Sequence, residues 1–547
     1  MILITYFTLV IIAIMSLIAC YSAPSYVSRF YLWMSIICGF ICLLCYIPSF
    51  YQHVKKRCYA LPSLIFIISY LVVGYQAYLL DNLGYDQFNN AAFFWRSGTT
   101  ASYSASLVTL GFVFFVLGYV VCAHGFLSSP KQQLEVIVKK NEESKFRYGY
   151  PILIAMNTVA FCLYLFSVRA AFWSGTFGRS QQSGLANFSY LIFFTSSLCC
   201  CVINQYPLYC GSKNSYSLFH YFRKTGTYLF ITTHFIALMS LRMGDRGPFI
   251  YLLLMFWGIY ITQMKLRYCI ISLILAASLL AIIGEARLYY DLPLSQKVMA
   301  ALTERQQSGA QEAPLALTRQ LSRSFSCLHI LTEEVPKNYP FYYGWNFFFN
   351  GIASIVPGLR TLLNNYVYSR APANSSDWLI THAVLGDNPP FGMGSHVIAD
   401  AYLDFGVVSV IVIMFILGYL MAKADIVFSA RSSGMYALAA SAILLVYAVY
   451  IPRACVVTFP RYAVFCVLFL FIASRKRFGF GRGVATNAQA PLVLPTIEET
   501  QPDARDGAGE GGDKAEGTGD AEHSAGEGGG HHEEVSGTDA VTGKTTA

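Results

Sequence analysis

The chain has 547 residues, is 55% hydrophobic, carries only 12% charged residues and has a net charge of +8, with a mean hydropathy of +0.48. That balance excludes a set of soluble domains and gives no footing for nucleic-acid binding. It describes a polytopic membrane protein, all-α and polar only at its loops.

Twelve apolar runs are long enough to cross a bilayer, near 2–20, 31–50, 61–80, 101–123, 150–168, 186–206, 226–241, 248–264, 268–285, 396–421, 434–451 and 460–474. The first lacks a basic leader and a small-residue cleavage site, so it reads as an anchor. Fifteen cysteines lie mostly inside these runs, as in Cys199-Cys200-Cys201. No pair has metal-ligand spacing, and they read as core packing.

Lysine sets the expected orientation. Loops at 51–60, 124–149, 207–225, 265–267 and 422–433, and the stretch after the last run, all carry it, as in Lys55, Lys139, Lys213 and Lys476. These alternate with the other set of loops, which makes them cytoplasmic, with both termini inside. The short outer loops contain arginine and no lysine: Arg29, Arg96, Arg169, Arg179, Arg242, Arg246, Arg453 and Arg461. A lone arginine there often caps a helix or snorkels. As a set, planar and permanently charged guanidinium groups suit a phosphate-bearing ligand.

The loop Arg242-Met243-Gly244-Asp245-Arg246-Gly247-Pro248 concentrates this signal. Pro248 suits the first turn of the following helix and Asp245 suits its cap. A helix start beside two arginines holds phosphate, and such a site would need no divalent metal. No cofactor and no metal is therefore expected.

Residues 286–395 form one long outer loop, the kind of length that usually carries function. Ala313–Val335 reads as an amphipathic helix: Leu317, Leu321, Phe325, Leu328 and Leu331 form a stripe, with Arg319 and Arg323 opposite. Those arginines either face solvent or join Arg242 and Arg246 around a polar cavity. The aromatic stretch Phe341-Tyr342-Tyr343-Gly344-Trp345 suits interface anchoring, or stacking on sugars. The loop closes with Gly394-Ser395-His396, then Asp400, Tyr402 and Asp404 before Phe405-Gly406. Ser395 is placed to cap the tenth run, and His396, Asp400 and Asp404 share one helical face. A histidine beside a carboxylate suits a general base, and a polar cluster that packs the helix mouth is the plainer alternative.

From residue 483 onward the composition changes to Gly, Ala, Thr, Asp and Glu, with 13 acidic and 3 basic residues. Its net of −10, taken from +8, leaves +18 for the membrane portion. The tail 483–547 is expected to be disordered and cytoplasmic. The domain division is then 1–285 with nine spans, the loop 286–395, three more spans in 396–475, and the tail.

Gly244-Asp245-Arg246-Gly247 after a span, a long outer loop, and Gly394-Ser395 followed by Ala399-Asp400-Ala401-Tyr402-Leu403-Asp404-Phe405-Gly406 together resemble the Wzy-type O-antigen polymerases, the oligosaccharide repeat unit polymerases. The resemblance covers residues 1–475 as architecture and these two blocks as motifs. The usual second block has Glu and Asn where Asp400 and Asp404 stand. The resemblance implies a GT-C-like inner-membrane glycosyltransferase acting on undecaprenyl-pyrophosphate-linked repeat units at the periplasmic face. Its partners would be membrane lipid, and a chain-length regulator and a flippase. Arg242, Arg246, Arg287, Arg319 and Arg323 would then hold pyrophosphate, and His396 with Asp400 would activate the acceptor hydroxyl. Tyr402 and Asp404 would meet sugar, with His329 and His382 as rival bases. An O-antigen ligase shares the donor and architecture, and a transporter or flippase of the same lipid is the alternative of another class. Clean spans and charges gathered at one rim favour an enzyme over a passage.

Overall fold

The computed structural model describes residues 2–55, 58–85, 100–127, 145–146, 149–174, 184–211, 217–243, 245–263, 318–356, 358–359, 362, 375–386, 392–431, 433–454, 456 and 459–475. The compact unit Met1–Gly479 contains all of them. The expected span 268–285, most of the long loop before 318, Arg287 and the tail 483–547 lie outside the described residues.

The described chain is all-α. In order it forms α1 (Ile2–Ser22), α2 (Arg29–Lys55), α3 (Pro62–Asn82), α4 (Ala101–Leu127), α5 (Tyr150–Ser174), α6 (Gly184–Cys210), α7 (Leu218–Thr225), α8 (Thr227–Arg242) and α9 (Arg246–Gln263). Within the long loop lie α10 (Phe325–Glu334) and α11 (Ser376–Leu385), and after it come α12 (Val397–Phe405), α13 (Val407–Ala430), α14 (Met435–Tyr447) and α15 (Pro460–Ser474). Among the described residues, 7 helices are long and apolar enough to cross a membrane, and shorter apolar helices run over Gly247–Thr262, Met435–Tyr447 and Pro460–Ser474. The twelve-span, GT-C-like expectation is therefore met at the coarser level of an all-α polytopic membrane protein.

α4 and α13 form the central pair, and glycine explains their closeness. A Cβ on Gly118 would lie 2.1 Å from the Phe415 carbonyl oxygen, and one on Gly418 would lie 1.9 Å from that of Phe115. The two helices pack backbone to backbone, as small residues permit in lipid. Beside this crossing a buried polar knot ties in α3. The Asp425 carboxylate accepts from the Ser63 N–H at 3.2 Å, from the Ser63 hydroxyl and from the Tyr119 hydroxyl at 2.9 Å. An acid on α13 thus satisfies a donor at the start of α3, which has no side-chain cap of its own. α1 and α2 turn Leu3, Phe7, Ile14, Phe30 and Phe40 outward, where hydrocarbon solvates them.

Two expectations are corrected here. The tenth run is not one span beginning at 396. Gly406, at φ 61°, breaks it into α12 and the long apolar helix α13, because only a residue without a Cβ takes that turn cheaply. Asp400 and Asp404 therefore belong to a separate nine-residue helix, which His396 caps. The expected helix 313–335 is also divided. A short turn at Arg319–Ser322 and α10 are separated at Arg323 and Ser324. Phe325, Leu328 and Leu331 of the expected stripe are buried, while Leu317 lies outside the described residues.

Candidate functional site

α12 begins at His396, not at the expected cap Ser395. The His396 backbone is extended, and its Nδ1 accepts from the Ile398 N–H at 3.1 Å. Ser395 instead turns its hydroxyl to that of Ser376, 2.6 Å away. The i, i+4 spacing puts His396, Asp400 and Asp404 on a buried face, at 0%, 0% and 1% exposure.

Each member of that face has a different task. Asp400 accepts from Asn346 Nδ2 at 2.9 Å, Ser376 Oγ at 2.8 Å and the Val456 N–H at 2.7 Å. One carboxylate thereby fastens the aromatic stretch, the start of α11 and the segment before α15 to α12. Asp404 accepts from the N–H groups of Asn346 and Phe347 at 2.9 and 3.0 Å, holding the turn Asn346–Asn350. Burial pushes its carboxyl up to about 6, with those N–H groups pulling the other way and Asp400 adding to the rise. Tyr402 packs edge-on against Phe341 and Tyr103, at 5.6 and 6.2 Å between ring centres.

The structure gives the expected base, His396, a helix-capping task. Its Nδ1 lone pair is committed to Ile398, so the proton of the neutral ring sits on Nε2. Burial depresses its pKa to about 3. A ring held this way has no lone pair to offer a sugar hydroxyl, and the plainer alternative, a packed helix mouth, describes it better. His329 from α10 is alike: its Nε2 lies 2.9 Å from the Tyr78 hydroxyl, and burial, with His396 nearby, lowers its pKa to about 3. His382 stacks on Trp378, 4.6 Å between centres and 11° between planes.

The arginines divide as well. Arg242 is exposed and lies over the rings of Phe172 and Trp173, 4.8 and 5.8 Å from their centres. Asp245 caps the next helix as expected, accepting from the Gly247 N–H at 3.2 Å. Arg246 and Arg319 occupy helix starts, but their side chains lie outside the described residues, as does all of Arg287. Arg323 is half-buried at the turn before α10, and its carbonyl accepts from the Ser326 hydroxyl.

Four segments converge beside Arg323. The Cys327 thiol donates to the Met393 carbonyl at 3.7 Å, and the Met393 N–H donates to Thr381 Oγ1 at 3.0 Å. Asp377, in the first turn of α11, and Arg453, in the turn Ile451–Arg453, both act on Cys327. Burial pushes the Cys327 thiol up to about 12, with Arg453 opposing and Asp377 adding to the rise. Arg453 lies over the Tyr450 ring, 5.8 Å from its centre, and Tyr450 packs edge-on against Tyr251 at 5.4 Å. Arg461, in the first turn of α15, donates to its neighbour Tyr462 at 2.8 Å. Beneath lie Tyr251, Tyr447 and Tyr462, with ring centres 4.6 and 4.9 Å from Tyr447.

Several polar atoms at this junction are buried and make no hydrogen bond among the described residues: Nε of Arg453, Nε of Arg461 and Oδ1 of Asp377. Buried guanidinium nitrogens without acceptors are costly, and their chemistry suits a phosphate or pyrophosphate. Arg453 and Arg461 carried a sequence signal, arginine without lysine in the outer loops, but no motif singled them out. Asp377 carried none.

No curated protein and no solved structure matches the chain. Its residues 2–478 do match the family described as O-antigen polysaccharide polymerase Wzy. With an all-α apolar bundle and a polar junction of loops at hand, that match identifies a multi-pass inner-membrane enzyme acting on lipid-linked oligosaccharide. The chain belongs to the Wzy O-antigen polymerase family, which joins oligosaccharide repeat units into surface polysaccharide.

Proposed function

We propose that the donor is an undecaprenyl-pyrophosphate-linked chain, and that Arg453 and Arg461 are the residues closest to its pyrophosphate. The growing chain passes from that carrier onto the terminal sugar of a fresh lipid-linked unit at the periplasmic face, with both termini and the tail 483–547 cytoplasmic. The loop 286–395 then stands on the reaction side, between the span expected to end near 285 and α12, which precedes the long apolar helix α13. The observation that carries this reading is the pair of buried, acceptor-free Nε atoms on Arg453 and Arg461. A pyrophosphate supplies the missing acceptors, and fixed guanidinium groups stabilise the charge that builds as it leaves. Arg323 and Arg242, together with Arg246, Arg287 and Arg319, are the further candidates for binding the same phosphates. Transfer then needs no metal and no cofactor. A chain-length regulator and a flippase are the fitting partners in the membrane.

The test is Arg453→Ala and Arg453→Lys, with membrane levels confirmed and surface polysaccharide run on a gel. A single repeat unit left on lipid A–core is the expected outcome for Arg453→Ala, with partial chains for the lysine variant. Loss of every attached unit, with lipid-linked chains accumulating, indicates a ligase step instead. An unchanged ladder in both variants removes Arg453 from the site.

A further inference from the structure

We infer that Asp377 takes the proton from the acceptor hydroxyl and that Trp378 beside it carries the acceptor sugar. This rests on reading the Arg453–Arg461 junction as the donor site.

The carboxylates near that junction differ in how far they are already engaged. Asp400 accepts three hydrogen bonds and Asp404 accepts two from backbone N–H groups. Asp245 accepts from Gly247. Asp377 is half-buried, and its Oδ1 has no donor among the described residues. Its neighbour Ser376 and the Val456 N–H, three residues past Arg453, bond the same Asp400 carboxylate, which brings Asp377 to the segment that carries the proposed pyrophosphate ligand. Glu333 also has a buried Oε2 without a partner. It lies six residues beyond Cys327 on α10, about 9 Å along the helix axis.

The neighbour of Asp377 completes the subsite. Trp378 is 38% exposed although it belongs to a helix whose Ser376, Leu379 and Ile380 are buried. His382, one turn on, stacks along one face of the indole at 11° and fixes the ring. The remaining apolar surface matches the C–H face of a pyranose, and Asp377 precedes the indole in the first turn of the same helix. A rigid aromatic platform beside an acceptor-only carboxylate is suited to binding a sugar and deprotonating it.

The step balances as a displacement. The acceptor O–H gives its proton to Asp377 while its oxygen forms a bond to the donor's anomeric carbon. The bond from that carbon to the pyrophosphate oxygen breaks, and its electron pair stays on the lipid pyrophosphate, beside Arg453 and Arg461. Asp377 then passes the proton to water.

The full-length protein in proteoliposomes, supplied with its lipid-linked repeat unit, separates the roles. Asp377→Asn keeps the shape of the side chain and is expected to slow polymer formation about a hundredfold or more, to lose the acid limb of the pH–rate profile, and to bind the lipid-linked unit within about threefold of the parent, the scatter allowed for an untouched site. Asp377→Glu should restore part of the rate. Trp378→Ala should raise the KM for the acceptor about tenfold with a smaller change in kcat, and Trp378→Phe should recover it. Glu333→Gln should leave the pH profile unaltered. Retained turnover and an unchanged pH profile in Asp377→Asn overturn the proposal, as does transfer of the acid-limb loss to Glu333→Gln. If Arg453→Ala binds and polymerises normally while Asp377→Asn is inactive, the donor site has been misplaced but the base has not.

Discussion

Replacing Asp400 with alanine should unfasten three segments at once. Asp400 is fully buried, and it accepts from Asn346 Nδ2, Ser376 Oγ and the Val456 N–H. Without it Ser376 still has the Ser395 hydroxyl at 2.6 Å, so that donor is not stranded. Asn346 Nδ2 also reaches the Asp400 carbonyl at 3.3 Å, a weaker bond that survives the change. The Val456 N–H is left without an acceptor among the described residues. One fully orphaned and one half-satisfied buried donor, at about 1–3 kcal/mol each, give a loss of about 2–5 kcal/mol. The cost falls on loop docking more than on the apolar bundle. Amide hydrogen exchange on the purified protein should show faster exchange at Val456 and across Asn346–Asn350, with α4 and α13 unchanged. Chain length on a polysaccharide gel should fall with it. Asp400→Asn, which keeps shape but brings two donors of its own into a site of three donors, should be nearly as damaging. Unaltered protection at Val456 in Asp400→Ala would refute the fastening role. Normal protection with no polymer would show instead that the carboxylate acts in the chemistry.

Gly418→Ala should bring a methyl group onto the Phe115 carbonyl, 1.9 Å from where the Cβ must lie, and cost at least about 3 kcal/mol; the readout is loss of folded protein from the membrane fraction, and wild-type levels would contradict the close crossing. Asp404, whose carboxyl burial raises from 3.8 to about 6, favours the protonated form when folded. Its contribution is fully present below about pH 4 and is lost as pH rises through about 6, up to about 3 kcal/mol. Asp404→Asn should flatten the thermal midpoint between pH 4 and 6, and an equally steep profile in that variant would count against it. Arg242→Ala should remove a cation–π contact worth about 1 kcal/mol and shorten chains only partly, whereas Arg453→Ala should stop polymerisation; equal and severe defects would place Arg242 at the pyrophosphate too.

Much of the bundle was legible because hydrophobic length is nearly the whole specification of a membrane helix. The runs near 2–20, 61–80, 101–123 and 186–206 reappear as α1, α3, α4 and α6 with ends shifted by a few residues. The start of α9 was legible for a different reason: Asp-x-Gly-Pro is local capping chemistry, and Asp245 performs it. What failed was continuity. Residues 396–421 read as one run because every residue but a few is apolar, and nothing in a hydropathy window registers that Gly406 adopts a positive φ. The expected 313–335 helix was broken too, at Arg323 and Ser324, without a positive φ to mark the place.

The site was harder to read because its residues are gathered by partners that lie far away in sequence. Spacing put His396, Asp400 and Asp404 on one face, and they are on one face. Their roles depend on Asn346, Ser376 and Val456, which are 54, 24 and 56 residues from Asp400. A pattern search sees a histidine four residues from an acid and assigns a base. The folded chain gives that acid to three loop donors and gives the histidine's lone pair to Ile398. The same logic runs in reverse at Asp377. It belongs to no motif, and it becomes notable only because the acids in the motif are saturated and it is not. In a site assembled from loops, hydrogen-bond capacity left unused tells more about chemistry than helical spacing does.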